Sequence, residues 1–147
     1  MLATTGDIDG VLQLYMEYLN VPADKYHGVK DGLEKFLYKH LGRDVFISCI
    51  SICGRVVTMA MLSTATHLPD KEIYNHGGKY GILKNIYTVP QYRNRRFASG
   101  CINELICFAN DNDVQFIRST GDTTSLFDRL GFIKTSSTGY ILNTNEE

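Results

Sequence analysis

IYTVPQYRNRRFASG, running from Ile86 to Gly100, is the stretch that decides the fold. An extended, β-branched approach is stopped by Pro90, Arg93, Arg95 and Arg96 crowd a short polar loop, and a helix then opens on the small residues Ala98, Ser99 and Gly100. Ile102, Leu105, Ile106 and Ala109 follow Ala98 at helical spacing, and the four residues from Asn110 to Asp113 end the pattern with turn-forming side chains. The first turn of a helix has amides without internal acceptors and the positive end of the dipole, so strand, loop and helix together form an anion-site layout. The chain has 15 Lys and Arg against 16 Asp and Glu, a formal net charge of -1, which makes the basic loop a local feature. A solvated basic turn linking two elements is the plainer reading of the loop by itself.

Upstream, the extended run covers Gly81 to Val89 behind a loop at Gly77 and Gly78. Before it, VFISCISI (Val45 to Ile52) and VVTMAMLS (Val56 to Ser63) flank Cys53-Gly54 and predict a hairpin, with Gly54 suited to a left-handed turn. Thr4, Thr5, Asp7 and Asp9 announce a capped, acidic helix start for Ile8, Val11, Leu12, Tyr15 and Leu19. A turn-like stretch from Asn20 to Lys30, containing Pro22, leads to a second helix on Leu33, Phe36, Leu37 and Leu41, which Gly42 can terminate. Downstream, a short strand is expected at Val114 to Arg118, a brief helix at Ser125 to Leu130 ending at Gly131, and a last strand at Tyr140 to Leu142. Helices set on one mixed sheet define an α/β or α+β class.

The 147 residues suit one domain over 1–147, and the composition, 44% hydrophobic with 21% charged, excludes a disordered or collagen-like chain. Cys49, Cys53, Cys101 and Cys107 lie in hydrophobic segments without metal-ligand spacing and read as small core residues. Cys49 and Cys53 sharing a strand face is the remaining metal or disulfide arrangement. No apolar run is long enough for a membrane span, and the start has no signal core, so a reducing cytoplasm is the expected setting. His27, His40, His67 and His76 are scattered, with His40 placed to favour the end of the second helix. Nucleic-acid binding lacks a second basic stripe or an aromatic ladder.

TVPQYRNRRFAS, from Thr88 to Ser99, resembles the coenzyme-binding segment of the GNAT acetyltransferases, V-x-P-x-Y-R-G-x-G-x-G/A. SLFDRLGF, from Ser125 to Phe132, is similar to that family's later L-Y-x-K-L-G-F segment, in family order and spacing. The resemblance implies a mixed, mostly antiparallel sheet splayed between the strand ending at Val89 and that at Val114 to Arg118, flanked by about four helices. Because the chain begins Met1-Leu2-Ala3, the first strand is expected to be short or missing, or the start incomplete. Acetyl-CoA would lie in the gap, with backbone groups of Tyr87, Thr88 and Val89 along the pantetheine arm, amides of Arg95, Arg96, Phe97, Ala98, Ser99 and Gly100 around the pyrophosphate, and Phe127 beneath it. No metal is implied.

The sequence departs from the family pattern at Asn94 and Arg96, where glycines are usual, and Arg96 can present its amide if its φ is negative. Phe127 stands where many members have a proton-returning tyrosine, and Lys79 to Val89 contains no Asp or Glu to serve as base. Tyr87 and Ser125 are the catalytic candidates that remain, with Tyr92 and Cys107 also placed near the cleft. The amide of Val89 or a neighbour is the expected oxyanion donor. The implied function is direct acetyl transfer to a primary amine of a small molecule or peptide, by a monomer or homodimer without nucleic-acid or membrane partners. The alternative is a weakened or inactive acyl-CoA-binding module.

Overall fold

The first helix is set up by Asp7, whose carboxylate accepts from the Thr4 amide at 2.8 Å and the Thr4 hydroxyl at 3.2 Å. A 3-10 turn at Thr5–Asp7 then feeds α1, Ile8–Leu19. The structure is a computed structural model and describes residues 1–66, 79–114, 116–120, 133–134 and 139–143. Ile8, Val11, Leu12, Leu14 and Met16 are buried on α1. Leu19, expected in the apolar stripe, is exposed, because the helix stops there and Asn20 turns left-handed at φ 51.

The second helix, α2, covers Tyr26–His40 and so begins inside the stretch expected to be a turn. Pro22 precedes a 3-10 turn at Ala23–Lys25, and the chain becomes helical directly afterwards. Gly28 and Gly32 each lower helix propensity by about 1 kcal/mol relative to alanine, which hides this start in the sequence. Packing against α1 outweighs them: Leu37 is buried, with Leu33 and Leu41 partly buried on the same core. Past Leu41, Gly42 takes φ 85 and turns the chain into the sheet.

Val45–Ile52 (β1) and Arg55–Thr66 (β2) form the expected hairpin, with Cys53 at φ 52 and Gly54 at φ 78. Two left-handed central residues match the right-handed strand twist. β3 follows at Lys79–Thr88, α3 at Phe97–Asp111, β4 at Phe116–Thr120, β5 at Ile133–Lys134 and β6 at Gly139–Asn143. The sheet order is β1-β2-β3-β4-β6-β5, antiparallel except for the β3–β4 pair. β4 starts two residues later than expected, because Val114, just past the end of α3, is tied back to that helix by donating its amide to Ala109 O at 3.0 Å.

β2 divides the core. Val57, Met59 and Met61 face α1 and α2, while Ala60 and Leu62 face Ile102, Leu105 and Ala109 of α3. Each fully buried Leu or Ile contributes roughly 1.5–3 kcal/mol over exposure. Gly81 lets β3 approach closely, since a Cβ there would meet Leu62 Cδ1 at 2.7 Å. The first strand is reduced to a bridge between Leu2 and Ser48. The expected fourth helix, Ser125 to Leu130, lies outside the described residues, as do His67 and His76.

Two of the four cysteines correct the sequence reading. Cys49 and Cys101 are buried, but Cys53 and Cys107 are exposed, and all four are free. Cys53 occupies the hairpin turn, so it shares no strand face with Cys49; Cys107 points away from the face of α3 that carries Leu105 and Ala109. No described helix is long and apolar enough to cross a membrane.

Candidate active site

The site begins as a fault in the sheet. Met59 pairs with Tyr87 and Met61 with Lys84, so Asn85 and Ile86 on β3 oppose the single residue Ala60 on β2. Asn85 absorbs this bulge at φ 57, a conformation that asparagine tolerates better than most residues. On the other side, parallel pairing with β4 ends at Leu83 and Ser119, and the Ser119 hydroxyl donates to Leu83 O at 3.2 Å. Among the described residues, no strand pairs with Lys84 to Thr88 on that side, so β3 and β4 form an open fork.

Backbone direction along the fork separates two of the three residues expected to line it, Val89 and Thr88. Val89 donates its amide to Val57 O at 2.9 Å, which spends that amide inside the sheet and corrects its expected role as an oxyanion donor. Thr88 pairs with Thr58 between successive ladder bonds, so its N–H and C=O point toward the fork by the alternation of an antiparallel ladder. Its carbonyl accepts from Arg93 Nε at 2.9 Å. The Thr58 hydroxyl, fully buried opposite Thr88, makes no hydrogen bond with the described residues.

After Val89, a 3-10 turn at Pro90–Tyr92 redirects the chain. Asn94 and Arg96 then adopt φ 64 and φ 62, so the two positions at which the resembled family places glycine are left-handed in this chain, a region that glycine enters without steric cost. The condition set for the Arg96 amide, a negative φ, is therefore not met. α3 begins immediately afterwards, and Gly100 donates its amide to Arg96 O at 3.1 Å. Gly100 therefore offers clearance rather than a donor: a Cβ on it meets nothing within 4 Å. Phe97, Ala98 and Ser99 supply the first-turn amides, for which an α-helix has no internal acceptor.

The side chains around the loop divide by role. Arg93 lies over the Tyr87 ring at 5.6 Å and Arg95 over Tyr92 at 5.2 Å, while Arg96 is exposed. Tyr92 stacks on Phe97 at 6.3 Å, and both pack against the core beneath α1. Tyr87 sits against Tyr18 at 5.4 Å, which is in turn 5.8 Å from Tyr15. Burial and then the Tyr18 phenol push the Tyr15 phenol above its ordinary pKa, so it remains protonated at neutral pH. Cys107 lies ten residues along α3 from Phe97, about 15 Å from the loop, and is not at the cleft. Ser125 and Phe127 lie outside the described residues.

One component had only a faint sequence signal. A cavity of about 210 Å³ lies between α1, α2 and the sheet, and Lys84 and Asn85 of the bulge form part of its wall. An asparagine inside a β-branched run is the mark that could have exposed the bulge. His40 is away from the site, bonding Asp44 Oδ1 through Nδ1 at 2.8 Å near the end of α2. Among the described residues, no three His, Cys, Asp or Glu side chains converge.

A mixed sheet that forks beside a helix N-terminus is the architecture of the GNAT acetyltransferases, and solved structures show the match directly. A predicted acetyltransferase from Clostridium acetobutylicum, crystallised with acetyl-CoA, has a TM-score of 0.77 over 93% of this chain and 90% of its own, at 17% identity. A GCN5-related N-acetyltransferase from Ralstonia eutropha gives 0.76 over 93% of each chain at 16% identity. A ribosomal-protein-alanine N-acetyltransferase from Brucella melitensis gives 0.70 over 97% of this chain and 99% of its own, at 15% identity. No protein-family model matches the sequence, and no curated protein matches it. The chain has the GNAT fold.

Proposed function

We propose that this chain is an acetyl-CoA-dependent N-acetyltransferase acting on a primary amine. The observation that carries the reading is the fork past Leu83, where the β3 edge, unpaired among the described residues, leads through Pro90 to the N-terminus of α3. The residues present fit the cosubstrate. Thr88 offers fork-facing backbone to the pantetheine arm, beside Tyr87 and Val89, whose amide is already bonded to Val57. The amides of Phe97, Ala98 and Ser99 face a pyrophosphate, Gly100 gives it clearance, and Arg95 and Arg96 add positive charge. Phe127 is assigned to the cosubstrate's underside from the sequence.

Acetyl-CoA supplies an activated acetyl group. The protein's part is largely positioning, which lowers such barriers by as much as about 7–11 kcal/mol when the reactants are well aligned. The acceptor amine must arrive neutral, and the carboxylate-free β3 does nothing to hold it as an ammonium. Tyr87 and Ser125 are the candidates for proton transfer. Free thiols at all four cysteines suit a reducing cytoplasm.

Phe127 in place of tyrosine and the absence of Asp and Glu from Lys79 to Val89 favour a second reading, an acyl-CoA-binding module with little or no turnover. Calorimetric titration with acetyl-CoA tests what the two share. Binding is expected, weakened about tenfold by Arg96→Glu; no binding overturns both. Formation of an N-acetylated product across an amine panel then separates enzyme from module.

A further inference from the structure

We propose that the acceptor is a small apolar α-amino acid, with its side chain in the cavity between α1, α2 and the sheet and its carboxylate on Lys84. This deepens the acetyltransferase reading and rests on it. The cavity, about 210 Å³, is smaller than the roughly 300–1,000 Å³ of drug-sized ligand pockets, which sets the acceptor's scale at a few heavy atoms. Its walls are mostly apolar, with Leu12, Leu33, Phe36, Leu37 and Met61 among them. They match an aliphatic or thioether side chain.

Charge selects the rest of the molecule. Lys84 is the charged residue among the described lining, and no carboxylate accompanies it. A polyamine or a basic peptide would bring a second ammonium to a wall with no anion to receive it, and burying an unpaired charge is strongly unfavourable. Lys84 is exposed and makes no hydrogen bond or ion pair with the described residues, which leaves its ammonium available to an acid.

Position ties this recognition to the chemistry. Lys84 and Asn85 are where β3 parts from β4, so a carboxylate held on Lys84 keeps the α-amine, two bonds from the carboxylate carbon, beside the fork. Tyr15, Ser63 and Asn85 provide hydrogen-bonding groups for that amine. The neutral amine nitrogen bonds to the acetyl carbonyl carbon, the carbon–sulfur bond breaks, and the proton lost by nitrogen balances the one gained by sulfur. The products are an N-acetyl amino acid and the free thiol of coenzyme A.

The full chain is tested with saturating acetyl-CoA against L-leucine, L-leucinamide and spermidine, with the acetylated product quantified by mass spectrometry. Leucine binding alone is followed by saturation-transfer NMR, and acetyl-CoA affinity is measured on the same samples. Leucine is expected to exceed leucinamide at least tenfold in kcat/KM, and Lys84→Glu to cut both leucine turnover and its NMR signal about tenfold. Lys84 is exposed, so an unchanged melting temperature shows that the variant is folded. Absent acetyl-CoA binding would sink the acetyltransferase reading itself. Retained acetyl-CoA binding, with leucine no better than leucinamide or spermidine, or with Lys84→Glu indifferent to leucine, overturns the amino-acid assignment alone.

Discussion

Arg93 donates from Nε to the Thr88 carbonyl oxygen at 2.9 Å, folding the basic loop back onto the end of β3 while its guanidinium covers Tyr87. The most conspicuous cation of the loop is thus committed to structure, and the charge left for an anion comes from its neighbours. Arg93→Ala is expected to destabilise the fold by about 1 kcal/mol, reduced by exposure from the 1.5–3 kcal/mol of a charged hydrogen bond, with a Tm loss of roughly 2–4 °C. Arg93→Lys should recover little of it, because an ammonium lacks the planar fork. Thermal unfolding of the two variants checks this; a lysine variant as stable as the parent contradicts it.

Arg96 holds φ 62 without being glycine. A left-handed L-residue is disfavoured by roughly 1–2 kcal/mol, and glycine returns about 0.5–1 kcal/mol of that through its greater unfolded-state freedom. Arg96→Gly should therefore raise stability by about 0.5–1 kcal/mol, seen as a higher urea midpoint. Asn94→Gly, at φ 64, should change it less, since asparagine tolerates this region.

The cysteines divide by burial. Burial, with a smaller push from Asp7, raises the Cys49 thiol to about 11, and burial raises Cys101 as well. Exposed Cys53 and Cys107 should react with a disulfide reagent at pH 8 in the native protein, and the buried pair only after urea is added. A Cys53→Ser, Cys107→Ser variant that still reacts when folded would contradict the packing described for β1 and α3.

Glu104 on α3 accepts from the Ser48 hydroxyl at 2.6 Å and lies 2.8 Å from the terminal ammonium of Met1. Desolvation alone would raise its carboxyl, but the hydrogen bonds from the ammonium and Ser48 outweigh it and lower the pKa below 4.5. A folded pKa lower than the unfolded one gives stability that is present above about 4.5 and is lost as the pH falls through the folded value. Denaturation midpoints between pH 6 and 3 should fall more steeply for the parent than for Glu104→Gln. Parallel curves would remove Glu104 from the acid response.

The sequence alone determined the order of elements from α1 to β4, the Cys53-Gly54 turn and the placement of a proline stop before a helix opening on small residues, because each is a local preference written in neighbouring side chains. It missed the start of α2, where Gly28 and Gly32 conceal a helix that packing on α1 supports. Only the tertiary structure decided which backbone groups remain free. Val89 and Thr88 are adjacent and both look available in sequence, yet Val57 takes the amide of one while the other faces the fork. The Asn85 bulge and the cavity behind Lys84 likewise exist because β2, β3 and two helices meet there. Pairing register and enclosure are relations between distant segments, and no window of sequence contains them.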